Sequence, residues 1–128
     1  MGDIDRFKEL NDTYGHQAGD EMIRVLARLL REQARTSDIL CRFGGEEFLL
    51  VLPGMAPDKA RERVDAWREK FSEQRVSFGE FELTATISFG IASYPSHGKT
   101  AERLIAAADQ ALYTAKNLGR NRVESKEI

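Results

Sequence analysis

With a single cysteine, Cys41, the chain cannot close an internal disulfide. The apolar neighbours of Cys41 predict a reduced, buried thiol, and with it a cytoplasmic compartment. A dominant charge is also lacking: 19 basic residues against 21 acidic ones leave a net charge of -2. Such a balance gives no broad electrostatic grip on DNA or RNA, so any nucleotide contact is expected to be local. No apolar run approaches the roughly 20 residues that a membrane helix needs, and the N-terminus lacks the charged-then-apolar layout of a secretion signal. No membrane contact is therefore expected of this domain. The histidines His16 and His97 fall at no recognisable zinc spacing with each other or with Cys41, and Ser88 and Ser93 lack the surroundings of a nucleophile elbow.

What is present is globular: 41% hydrophobic and 31% charged residues in 128 positions, enough for one packed domain. Phe7, Leu10 and Tyr14 are spaced for a short helix that Gly15 can stop. Asp20 reads as the cap of a second helix, with Ile23, Leu26, Ala27 and Leu30 on its apolar face to about Ala34. Ile39 to Phe43 and Phe48 to Leu52 flank Gly44-Gly45-Glu46 as a hairpin, the second run having the look of a buried central strand. Ala60, Val64, Trp67 and Phe71 repeat at helical spacing between Pro57 and about Glu73. Val76 to Phe78, Phe81 to Thr84 and Thr86 to Ser93 read as strands. A final helix buries Leu104, Ala108, Ala111, Leu112 and Ala115 and ends at Gly119, and Arg122 to Ser125 adds an edge strand. The expected class is α/β in the α+β sense, a mixed central sheet flanked by helices.

Asp3 and Asp5 bracket Ile4, while Glu46 and Glu47 sit at a glycine turn. Carboxylates so placed suit Mg²⁺, which takes hard oxygens and leaves positions for phosphate and water. Paired acids at turns are more often simply solvated, and spacing alone leaves both readings open. Gly44 and Gly45 could take positive φ and let a ligand approach the backbone, or could make a plain tight hairpin. Lys8, Lys116 and Arg120 are candidate phosphate partners, although basic residues in a last helical turn also serve the helix dipole.

Six blocks then fall in order along the chain: Asp3-Ile4-Asp5-Arg6-Phe7-Lys8, Asn11-Asp12-Thr13-Tyr14-Gly15-His16, Gly19-Asp20, Arg42-Phe43-Gly44-Gly45-Glu46-Glu47-Phe48, Ser88-Phe89-Gly90-Ile91-Ala92, and Ala108-Asp109-Gln110-Ala111-Leu112-Tyr113-Thr114-Ala115-Lys116-Asn117-Leu118-Gly119-Arg120-Asn121. Together they closely resemble the GGDEF diguanylate cyclases, in the Glu-Glu variant of the signature. The resemblance implies a palm-like nucleotide cyclase fold with the Gly44-Gly45 hairpin over the nucleotide. It implies condensation of two GTP into cyclic di-GMP and pyrophosphate, with Mg²⁺ or Mn²⁺. Asp3, Glu46 and the carbonyl of Ile4 match metal ligands. Glu46 and Glu47 match the catalytic acids, with the choice of general base open. Asn11 and Asp20 match guanine readers, and Lys8, Lys116 and Arg120 match triphosphate contacts. Because each such domain holds one GTP, the resemblance implies an antiparallel homodimer.

Arg35-Thr36-Ser37-Asp38 matches the family's inhibitory Arg-x-x-Asp site for cyclic di-GMP, with Arg61, Arg63 and Arg68 as candidates for a second basic patch. Without the family context, Arg35 and Asp38 would read as a surface ion pair. Measured against the family pattern, residues 1–128 are expected to be a single domain lacking the N-terminal helix and most of the first strand. A sensor or receiver domain is expected upstream, where a membrane anchor could also lie. Two other readings stand beside the enzyme. One is a cyclic di-GMP-binding module with little or no turnover, and the other is a structural or dimerisation domain that binds neither nucleotide.

Overall fold

The computed structural model describes residues 1–126. Strand β1 (Gly2–Ile4) is followed by helices α1 (Phe7–Tyr14) and α2 (His16–Gln33), the hairpin β2 (Ile39–Arg42) and β3 (Glu47–Val51), and α3 (Pro57–Glu73). The hairpin β4 (Val76–Phe78) and β5 (Phe81–Leu83), strand β6 (Ile87–Ile91), α4 (Ala101–Asn117) and β7 (Val123–Ser125) complete the order. Five strands form one sheet, β2-β3-β1-β6-β7, in which only the β6–β7 pair is parallel; β4 and β5 form a separate two-stranded sheet. The architecture is a mixed α/β fold with a mostly antiparallel central sheet flanked by helices, as expected. The site strand β1 lies in the middle, hydrogen-bonded on one side to β3 and on the other to β6.

One core joins α2 (Met22, Leu26, Leu30) and α3 (Val64, Trp67, Phe71) to Ile4, Phe48, Ile87 and Phe89 of the sheet. On the opposite face Ala108 and Leu112 of α4 pack with Met1, against Leu49 and Ala92. The approach of α4 to β6 is close enough that a Cβ on Gly90 would overlap the carbonyl of Ala108 and the amide of Leu112. Glycine at that position, and the small Ala108, Ala111 and Ala115 on the buried helix face, are what allow the contact.

Three expectations are corrected. Asp20 does not cap α2: the helix begins at His16, one residue after α1 ends, because Gly15 at φ 96 turns the chain between them while its N–H donates to Asn11 O at 2.7 Å. Asp20 is therefore an exposed residue inside the helix. Cys41 is exposed rather than buried, since β2 is the outer strand of the sheet. The apolar run of β3 is interior in strand order, yet only Phe48 is fully buried, and Val51 is exposed beside Ile39, its partner on the edge strand.

Candidate active site

The antiparallel register sets Asp3 of β1 across from Glu47 of β3, and the Ile4 N–H donates to Glu46 O at 3.2 Å. Two acids of the Gly-Gly turn thus come to the strand that carries Asp3. The turn is closed by the N–H groups of Phe43 and Gly44, which both donate to Glu47 O at 2.8 and 3.2 Å. Neither Gly44 nor Gly45 adopts the positive φ that the pair could have used. Their contribution is space: a Cβ on Gly45 would meet nothing within 4 Å, so the tip stays open to solvent or a ligand. Arg42 braces the turn from behind, with Nε and Nη2 donating to Gly45 O at 3.1 and 2.7 Å. That role was not visible in the sequence, where Arg42 was only a signature neighbour.

Asp3 is 7% exposed, and its Oδ2 accepts from Lys116 Nζ at 2.7 Å. Burial pushes its carboxyl above the usual carboxylate range; the Lys116 hydrogen bond and charge oppose this, and the Glu46 and Glu47 carboxylates add to it. A concentration of negative charge that draws an ammonium across the fold is chemically a place for a cation. Asp3, Glu46 and the Ile4 carbonyl offer only hard oxygens, which fits Mg²⁺ or Mn²⁺. Among the described residues no three His, Cys, Asp or Glu side chains form a closed cage. Two carboxylates and a carbonyl suit an ion that shares its remaining positions with phosphate and water.

Asp5, grouped with Asp3 by spacing as a candidate ligand, is committed elsewhere. Its Oδ1 accepts from Ser88 Oγ at 2.6 Å, and its Oδ2 accepts from Thr86 Oγ1 at 2.7 Å and from the Asn121 N–H at 3.0 Å. No short spacing could have revealed this, because the donors lie 81 to 116 residues along the chain.

Asn11 of α1 lies against Gly19 of α2, where any Cβ would collide with Asn11 Oδ1. That oxygen is buried without a hydrogen-bond donor, an uncompensated state for an amide. Asp20, the next residue after Gly19, is exposed beside it. Lys8 is exposed on α1. Arg120 is exposed in the turn after α4 at φ 64, its N–H donating to Ala115 O at 3.0 Å.

Arg35 and Asp38 form a second cluster at the other end of β2, a strand of four residues that spans about 13 Å at the usual rise. Asp38 Oδ1 accepts from Arg35 Nε and Nη2 at 2.9 and 2.6 Å, and Oδ2 accepts from the Arg35 N–H at 2.8 Å. Arg35 Nη2 also donates to Pro53 O at 2.9 Å. Of the three candidate arginines only Arg63 joins this cluster, 3.7 Å from Asp38 and stacked over buried Trp67. Arg61 donates to Val123 O and Ser125 Oγ, and Arg68 to Asp65 and Asn121, so both belong to the α3–β7 cleft instead. Burial would raise the Asp38 carboxyl, but the Arg35 hydrogen bonds and the Arg35 and Arg63 charges hold it below the usual range.

The family described as diguanylate cyclase, GGDEF domain, matches residues 1–122. Diguanylate cyclase A of Treponema denticola is 37% identical over 123 residues, 96% of this chain and 33% of that protein. Among solved structures, the GGDEF domain of DgcB from Caulobacter crescentus in complex with c-di-GMP gives a TM-score of 0.90 at 32% identity, covering 99% of this chain and 75% of that one. The active GGEEF domain of a diguanylate cyclase from Vibrio cholerae gives 0.87 at 33% identity, over 99% and 80%. The chain spans about a third or less of the length of the first curated relatives.

Proposed function

The chain belongs to the GGDEF family of diguanylate cyclase domains, and on that basis we propose that it condenses two GTP molecules into cyclic di-GMP with release of pyrophosphate. The observation that carries this reading is the register that sets Asp3 against the Glu46-Glu47 turn, with Lys116 drawn onto Asp3. Asp3, Glu46 and the Ile4 carbonyl would hold Mg²⁺ or Mn²⁺. Bound there, the ion supplies neutralisation of charge on the α-phosphate and a lowered pKa for a 3′-hydroxyl.

The remaining work falls to the chain's own groups. Gly44 and Gly45 leave the backbone accessible to the triphosphate. Lys116, Arg120 and Lys8 would balance its charge. Asp20, ionised, accepts from the ring N–H and exocyclic amine of guanine, an edge that adenine does not present; Asn11 completes the reading. Glu46 and Glu47 are the acids available to take the hydroxyl proton. One domain holds one GTP, so two copies face each other antiparallel for each hydroxyl to meet the opposite α-phosphate.

Arg35 and Asp38, with Arg63 beside them, are the product-binding site. Their pre-formed ion pair favours feedback, because the guanidinium is already oriented and can pair with guanine O6 and N7 or stack on its face. In the whole protein an upstream sensor or receiver domain would control the pairing of copies.

The test is titration of the purified chain with GTP and with cyclic di-GMP in Mg²⁺, followed by chromatography of the products. Cyclic di-GMP and pyrophosphate from GTP are expected. Binding of cyclic di-GMP without turnover would replace the enzyme with a sensor module, and binding of neither nucleotide at micromolar concentration would leave only a structural domain.

A further inference from the structure

The proposed chemistry gives Asp5 no task, although it is 6% exposed and charged, and sits two residues from Asp3. Buried carboxylates are costly unless several donors converge on them. Three converge on Asp5, and they come from three places: Thr86 ahead of β6, Ser88 within β6, and the backbone of Asn121 in the turn after α4. The Asn121 N–H is shared, lying 3.1 Å from Ser88 Oγ as well.

That turn needs holding. Gly119, Arg120 and Asn121 follow one another at φ 124, 64 and 48, and the last two carry side chains in the left-handed region. Such a run persists only when its surroundings over-determine it. The turn's other ties are Gly119 N–H to Lys116 O at 3.4 Å, Arg120 N–H to Ala115 O at 3.0 Å, Phe89 N–H to Arg122 O at 3.0 Å, Arg122 Nε to Arg120 O at 3.3 Å, and Arg68 Nη1 to Asn121 Oδ1 at 2.7 Å. Among these, the bond to Asp5 is the one made to a buried ion, which makes it the strongest kind available.

Asp3 of β1 and Asp5, the first residue after that strand, therefore pin one segment at both ends: Asp3 grips the side chain of Lys116, and Asp5 grips the backbone of Asn121. Arg120 lies between the pins. We propose that Asp5 is a positioning residue for the triphosphate, fixing the 119–122 turn so that Arg120 is presented to phosphate without first having to be ordered. This rests on the reading of Arg120 as a phosphate contact. Asp5 itself touches no substrate; it acts by removing the ordering cost that Arg120 would otherwise pay on binding.

The experiment is a double-mutant cycle on the affinity for a non-cleavable GTP analogue with Mg²⁺. Arg120→Ala is measured in the natural chain and in Asp5→Ala, Asp5→Asn and Thr86→Val backgrounds, with melting curves for each. In the natural chain Arg120→Ala should weaken binding by about tenfold, the size of a hydrogen bond to a charged group. In Asp5→Ala the same change should cost less than about twofold, because Arg120 is no longer held. Asparagine keeps one acceptor and should restore part of the factor. Thr86→Val removes a donor from the same carboxylate without freeing Asn121, so it should leave the factor intact. If Asp5→Ala does not fold, the intermediate factor in Asp5→Asn carries the comparison. An Arg120 factor that is equal in every folded background overturns the positioning role and leaves Asp5 as mere support. An Arg120→Ala change without effect in the natural chain overturns the reading of Arg120, and the positioning role falls with it.

Discussion

Lys116 Nζ stands 2.7 Å from Asp3 Oδ2, a contact between the last turn of α4 and the central strand across 113 residues of sequence. The ammonium is bound to the carboxylate proposed above as a ligand of the divalent ion, and on that proposal the two cations would compete for it. Lys116→Met should therefore bind Mn²⁺ several-fold more tightly in the absence of nucleotide, and bind a GTP analogue about tenfold more weakly through loss of a phosphate contact. Electron paramagnetic resonance of free Mn²⁺ and a calorimetric titration read the two effects separately. Weaker Mn²⁺ binding would mean that Lys116 organises Asp3 and does not compete for it.

Glu46→Gln keeps the shape of the turn and removes one charge from the acidic set. Product formation from GTP should fall by at least about a hundredfold, the scale on which transition-state charge stabilisation is lost. The melting temperature should stay close to that of the natural chain, because Glu46 is only half-buried and ties the turn to β1 through its backbone carbonyl. Chromatography of reaction products beside a melting curve makes the check. Retained turnover would remove Glu46 from the metal site.

These sites differ in how far the sequence disclosed them. The helices Phe7–Tyr14 and Pro57–Glu73 were readable to the residue, since apolar spacing and a proline in the first turn are local signals. The start of α2 was not, because the single residue Gly15 allows a new helix to begin at once and turns Asp20 from a cap into a surface residue. The acids of the turn were legible as a signature, and their approach to Asp3 follows from strand pairing. The commitment of Asp5 to Ser88 and Asn121, and of Arg42 to the carbonyl of Gly45, depends on contacts made only after folding. Cys41 was misplaced because an apolar segment reads alike in an interior strand and in an edge strand, where half of it stays exposed.

Arg35→Ala removes the guanidinium while sparing the Asp3 and Glu46 region at the far end of β2. Inhibition by added cyclic di-GMP should weaken by at least about tenfold, with initial rates at low product unchanged. Progress curves at several product concentrations separate the two. Equal loss of uninhibited rate would indicate that Arg35 supports the fold.

Two glycines make opposite predictions for the same substitution. At Gly90 a new methyl would meet helix backbone, the carbonyl of Ala108 and the amide of Leu112, which cannot move independently of α4. Gly90→Ala should cost about 3 kcal/mol or more and lower Tm by about 10 °C. At Gly19 the nearest atoms are the end of the Asn11 side chain and the Phe7 ring. Gly19→Ala should be better tolerated in melting, yet it should weaken guanine binding by displacing Asn11. If the two variants melt together, the spacing of α4 from β6 is softer than the packing implies.

Asp38 supplies a pH dependence whose sign is fixed by its partners. Its carboxyl is held below the usual range in the folded chain, against the effect of burial, by Arg35 and Arg63. In the unfolded chain it returns to about 3.9. Between these values the unfolded state binds the extra proton, so the contribution is fully present above about pH 4 and is lost as pH falls through the folded value. Asp38→Asn should destabilise the chain by about 2 kcal/mol near neutrality, through loss of charged hydrogen bonds to Arg35. The gap between variant and natural chain should close as pH falls below about 4, since protonation then does to the natural chain what the substitution has already done. Urea unfolding of both chains from pH 7 down to the acid limit of folding measures the gap directly. A gap that stays constant across that range would mean that Asp38 contributes through packing and not through its charge.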